Sequence, residues 1–191
     1  MVMPVLTWGT STLADLARVD GKAELIAGRI VTFMPTGYLP SRIAKWILRH
    51  LDDFVEGNLE GEVFTDSIGY QIDPFLVSGR QSFSPDVSYY VGPPPSDSMS
   101  FIEGAPALAV EVRSANDYGR AAERTMAAKR EDYFQAGTLV VWDVDPKAEI
   151  VTAYRTSDPT APNVFQKNDL ADAEPAVPGW KLALQDLFAI K

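Results

Sequence analysis

Apolar residues recur at two different spacings along this 191-residue chain, and the places where the spacing changes mark its elements. From Pro40 to Leu51 and on to Val55, apolar side chains at 43, 46, 47, 51, 54 and 55 share one helical face, and Gly57 and Asn58 end the helix. A second long helix is expected from about Gly119 to Ala136, closed by Gly137. Elsewhere the period falls to two. Gly61 to Ile72 and Ser84 to Val91 alternate as strands, and the GPPPSDSMS stretch after them is a loop that no sheet can hold. Leu108 to Val112 reads as a buried strand, Thr138 to Val144 as another, and Asp145-Pro146 turns the chain into a strand from Ala148 to Arg155. Before all of these, Ser11 to Leu16 reads as a short capped helical turn, and Glu24 to Phe33 as a hairpin turned at Ala27-Gly28. The tail, with Trp180, Leu182, Leu184, Leu187 and Phe188, predicts a strand edge and a short terminal helix. Antiparallel strands, one long helix for each side of a sheet and a strand-helix-strand crossover give an α/β or α+β sandwich, in a single domain over residues 1–191.

Composition narrows the chemistry. The absence of cysteine rules out a disulfide framework, a thiolate zinc site and a cysteine nucleophile, and His50, the one histidine, cannot make an imidazole zinc site. The beginning, MVMPVLTWGTSTL, lacks a charged n-region, and no window reaches the roughly 20 apolar residues of a bilayer span, so a soluble, cytoplasmic protein without a membrane partner is expected. A net charge of -9 argues against whole-surface affinity for nucleic acid. It leaves room for a local basic site, and five basic residues against two acids lie between Arg113 and Arg130.

The strand around Glu111 holds a carboxylate that burial makes costly unless it has a partner. Alternation puts Ala109, Glu111 and Arg113 on one face. Asp86, which follows Pro85, shares a face with Ser88 and Tyr90, and if the two strands are neighbours the two carboxylates converge. Such a pair repels itself unless a cation intervenes, and magnesium is a hard cation that needs only one or two protein carboxylates. On the helix that follows, Lys129 falls on the stripe of Ala122, Met126, Tyr133 and Ala136 and is directed at the sheet. Each residue also has a plainer reading. Asp86 can close a turn, Glu111 can pair with Arg113 or Arg124, and Lys129 can snorkel to solvent.

Ser84-Pro85-Asp86-Val87, Glu111-Val112-Arg113-Ser114, Lys129 with Tyr133 and Gly137, and Val141-Trp142-Asp143-Val144-Asp145-Pro146, taken in this order and spacing, resemble the Uma2 family of restriction endonucleases, part of the PD-(D/E)xK nuclease-like superfamily. The opening Glu24 to Pro35 and the closing Pro178-Gly179-Trp180 are similar to the family's ends. The resemblance implies a restriction-endonuclease-like fold, a central mixed β-sheet flanked by helices. It implies a magnesium site, with manganese as a substitute, on Asp86, Glu111 and the Val112 carbonyl. Lys129 is then the catalytic lysine moved from strand to helix, and Glu24 an accessory acid. Arg113, where the superfamily has its strand lysine, is too basic to accept a proton and is expected to contact phosphate, with Arg120 and Arg124 as further phosphate ligands. The function so implied is metal-dependent hydrolysis of phosphodiester bonds in nucleic acid, DNA first, by a homodimer for which the apolar tail offers a surface. The alternative is a non-catalytic binding or assembly module on a degenerate nuclease fold.

Overall fold

The computed structural model describes residues 8–189, so the first seven residues read above for a leader lie outside it. In chain order the elements are α1 (Leu13–Leu16), β1 (Ala23–Ile26), β2 (Arg29–Thr32), α2 (Tyr38–Asn58), β3 (Glu62–Thr65), β4 (Tyr70–Gln71), β5 (Ser82–Phe83), β6 (Val87–Tyr90), β7 (Ile102–Glu103) and β8 (Leu108–Val112). There follow α3 (Arg120–Gln135), β9 (Val140–Asp145), β10 (Ile150–Arg155), β11 (Asp158–Phe165), β12 (Leu170–Asp172), β13 (Lys181–Ala183) and α4 (Leu184–Phe188).

Six strands form the central mixed sheet in the order β11-β10-β9-β8-β6-β3. β8 and β9 run parallel because α3 carries the chain across between them, while β6 meets β8 antiparallel. Both middle strands are buried on both faces, which explains their near-continuous apolar sequences. On one face Val110, Val112 and Trp142 pack against Ile43, Ile47 and Leu51 of α2. Ala109 and Val141 point to the other face, where Tyr133 of α3 stacks on Phe83 with ring centroids 4.1 Å apart. The small Ala109 leaves room there for the ring and for the polar groups beside it.

Three departures from the sequence pattern have local causes. The stretch from 61 to 72 is two strands in different sheets, because a turn with Ile68 N–H donating to the Thr65 carbonyl breaks it. The strand β11 was hidden by Pro159 and Pro162, which an edge strand tolerates because half its backbone groups need no partner strand. Trp180, Leu182, Leu184 and Leu187 are buried in the core, Trp180 stacking on Trp142, so these four residues of the tail are not the free apolar surface for a second copy that the sequence suggests. Among the described residues no helix is long and apolar enough to cross a membrane.

The β1–β2 hairpin lies outside the central sheet and turns, as its sequence predicts, at Ala27 and Gly28, both with positive φ (49° and 67°). A Cβ on Gly28 would lie 2.4 Å from the Gly9 carbonyl oxygen. Gly28→Ala is therefore expected to cost about 2 kcal/mol, read as a lowered urea midpoint at unchanged slope. An unchanged midpoint would show that the segment around Gly9 gives way freely.

Candidate active site

The register of β6 on β8, Val87 opposite Val110, carries on past the end of β6 to bring Asp86 level with Glu111. Both side chains open onto one cleft of about 660 Å³, walled by the hairpin, by α3 and by the loop after β8. They are partly exposed, 24% for Asp86 and 26% for Glu111. Asp86 Oδ2 accepts the Val112 N–H at 2.7 Å. The Val112 carbonyl, on the same side of its strand, faces the same way.

Lys129 reaches this floor from α3. Its Nζ is 2.7 Å from Glu111 Oε1 and 3.0 Å from Glu24 Oε1, and Tyr133, one helical turn further on, donates its hydroxyl to the same Glu111 oxygen at 2.7 Å. Glu24, fully buried on β1, also accepts the Ser84 N–H at 3.1 Å and pairs with Arg80, whose Nε lies 2.8 Å from Asp132 Oδ2. Glu111, Lys129, Glu24, Arg80 and Asp132 thus form one chain of alternating charge running from the cleft into the interior. The fit of each charge to its neighbours differs. Burial pushes the Glu111 carboxyl up, and Lys129 and Lys22, opposed by Asp86 and Glu24, offset only part of that push. Burial would raise Glu24 as well, but Lys129 and Arg80 overcome it and hold Glu24 below the ordinary carboxylate range. Burial disfavours the Lys129 ammonium, yet Glu111 and Glu24 hold its proton more tightly than in water.

Of the residues singled out in the sequence, the structure brings Asp86, Glu111, Lys129 and Glu24 together. Arg113 lines the same cleft, but its guanidinium grips Asp143 at 2.7 and 2.8 Å and Glu123 at 2.5 Å. Arg120 and Arg124 are exposed on the outer side of α3 and do not line the cleft; Arg124 Nε donates to the Arg120 carbonyl. Lys22 was missed. Its Nζ lies 2.5 Å from Asp86 Oδ1, and its position two residues before Glu24, on the same face of an extended chain, was the signal for it. Arg80 was missed too, and it carried no local signal, because it pairs with Glu24 across 56 residues of sequence. Among the described residues no three His, Asp or Glu side chains are grouped closely enough to hold a metal ion by themselves.

The family model for Uma2, described as putative restriction endonuclease, matches residues 11–185. The chain belongs to the Uma2 family. Its fold is also that of a solved structure, a putative nuclease belonging to DUF820 from Anabaena variabilis. The two are 21% identical, superpose with a TM-score of 0.70, and align over 93% of this chain and 97% of the other. No curated protein matches the chain. A Uma2 chain with this nuclease-like fold thus carries two carboxylates and a lysine at the floor of its cleft.

Proposed function

We propose that this Uma2 protein is a metal-dependent endonuclease that hydrolyses phosphodiester bonds in nucleic acid, DNA in the first place. The observation that carries the reading is the meeting of Asp86, Glu111 and Lys129, from three separate elements, on one cleft. Asp86, Glu111 and the Val112 carbonyl suit a hard divalent ion. Two carboxylates that repel one another face the same space, and a magnesium or manganese ion completes its sphere with water and phosphate oxygens. Bound there, such an ion polarises a phosphate and acidifies a water.

The chain's own groups do the rest. Lys129, whose proton is held tightly, acts as a fixed positive charge beside the reacting phosphate and not as a base. Tyr133 fixes the rotamer of Glu111 through its hydroxyl. Glu24 holds Lys129 in place from below, and Arg80 holds Glu24. The test is to incubate the protein with DNA and magnesium, with and without a chelator, beside Glu111→Ala. Cleavage that survives both chelation and the substitution would end the proposal.

A non-catalytic module is the second reading, favoured by the two carboxylates that already occupy Arg113. Titration calorimetry with manganese separates the two, since a relic gives no metal-dependent heat that Asp86→Ala removes. Lys22 enters here as a competitor, because its ammonium sits on the Asp86 oxygen that an ion would use. Lys22→Met is expected to tighten manganese binding by about tenfold in the same titration. An unchanged affinity would show that Lys22 swings away without cost.

A further inference from the structure

The cations inside the cleft are spoken for. Lys22, Arg113, Lys129 and Arg130 each already lie against a carboxylate of this chain, so beyond the one phosphate at Lys129 the floor has little positive charge with which to hold the rest of a polyanion. Spare charge lies just outside. Residues 38–50, the first three turns of α2, contain Arg42, Lys45 and Arg49 and no acid, in a chain whose net charge is -9. The acids of the helix, Asp52, Asp53 and Glu56, all fall in its second half. Arg42, Lys45 and Arg49 are exposed, and among the described residues none forms an ion pair; Arg42 donates to the Tyr38 hydroxyl at 2.7 Å. Tyr38, Arg42, Lys45 and Arg49 recur at helical spacing along one stripe about 16 Å long, away from the face that Ile43, Ile47 and Leu51 bury.

The stripe begins at the mouth of the cleft. The loop from β2 to α2, with Phe33 and Met34, lines that mouth. It leaves apolar surface in water: Met34 is 82% exposed and Tyr38 69%. A row of cations beside exposed aromatic and apolar side chains is what a single strand of nucleic acid uses, phosphates on the one and unstacked bases on the other. The cleft itself has the size of a small-molecule site, enough to admit an unpaired nucleotide.

We propose that the first three turns of α2 and the β2–α2 loop form a docking track for single-stranded nucleic acid, leading its phosphates to the floor of the cleft. The proposal rests on the nuclease reading of that floor. The track is tested by fluorescence anisotropy on Glu111→Gln protein, which does not depend on cutting, with a labelled oligothymidylate of about 15 nucleotides and a duplex of equal length. The single strand is expected to bind about tenfold more tightly than the duplex. Replacing Arg42, Lys45 and Arg49 together by Gln should weaken it at least about tenfold and lower the slope of log affinity against log salt by about 2. Met34→Ala should weaken the single strand about fivefold and leave the duplex unchanged. All these side chains are exposed, and circular dichroism checks that the variants fold. Unchanged affinity in the triple variant, equal binding of duplex, or binding of neither would overturn the track. Cleavage by the wild-type protein is followed in parallel. A strand that binds through the stripe but is never cut sinks the nuclease reading and leaves the track standing. A strand cut equally well by wild type and by a protein with the triple change alone, at subsaturating concentration, sinks the track and leaves the nuclease.

Discussion

Glu24→Gln is expected to remove about 3 to 5 kcal/mol of folding stability at neutral pH, a large share of the roughly 5 to 15 kcal/mol of an ordinary domain. The carboxylate is fully buried and stands between two cations, Lys129 and Arg80, that are themselves mostly buried. The amide keeps the shape and one acceptor oxygen but removes the charge, leaving two ammonium and guanidinium groups facing each other out of water. Lys129 retains Glu111 and Arg80 retains Asp132, which is why the loss is expected to stop short of unfolding. The sign with pH follows from the direction of the shift. Glu24 is held below its ordinary pKa, so its stabilisation is complete above that ordinary value and disappears as the pH falls through the lowered one. The gap between wild type and variant should therefore be widest near pH 7 and close below about pH 4. Urea titrations at both pH values measure it; equal midpoints at pH 7 would mean that the two cations find other company or water.

How much of this was legible in the sequence depends on how far apart the partners lie along the chain. The long helices were visible because α2 and α3 each repeat a pattern over several turns, and the strand around Glu111 because Leu108, Val110 and Val112 are apolar on one side of it. Alternation on two strands and a helical stripe also pointed Asp86, Glu111 and Lys129 at a common space, and the family's order of motifs tied them together. What alternation does not give is the identity of a cross-chain partner. Nothing in the neighbourhood of Arg80 says that it will meet Glu24 and Asp132, and nothing near Arg113 favours Asp143 over a phosphate; the register of Glu111 opposite Asp143 in the parallel pair decides that. The edge strand β11 was hidden for a different reason, since its prolines and polar residues are the composition of a loop and only its place at the edge permits them. Arg42, Lys45 and Arg49 on α2 were not singled out in the sequence, because charges on the outer face of a helix are ordinarily just solvated. Their weight comes from a fact of the structure, that Lys22, Arg113, Lys129 and Arg130 in the cleft each already face a carboxylate.

Glu111→Gln is expected to do the opposite of Glu24→Gln: activity falls by about a thousandfold or more while the protein becomes no less stable, and more stable at alkaline pH. The two acids touch the same lysine, yet their surroundings push them in opposite directions. Burial, together with Asp86 and Glu24, raises the Glu111 carboxyl against the pull of Lys129 and Lys22. A carboxyl whose folded pKa lies above its unfolded one favours folding at low pH, and that contribution is lost as the pH rises through the folded value. Above the raised value the ionised Glu111 is thus a cost, and the amide removes it while still accepting the Tyr133 hydroxyl. The variant's advantage in a urea titration should grow as the pH rises from the ordinary carboxylate range through the raised value, and level off above it. A group kept ionised at a cost to the fold is explained by what the charge does when a substrate or an ion arrives, the familiar exchange of stability for function. A variant that is less stable than wild type at pH 8 would mean that the contacts with Lys129 and Lys22 outweigh burial and the repulsion from Asp86 and Glu24 together, and Glu111 would then be a structural partner of the lysine first and a functional group second.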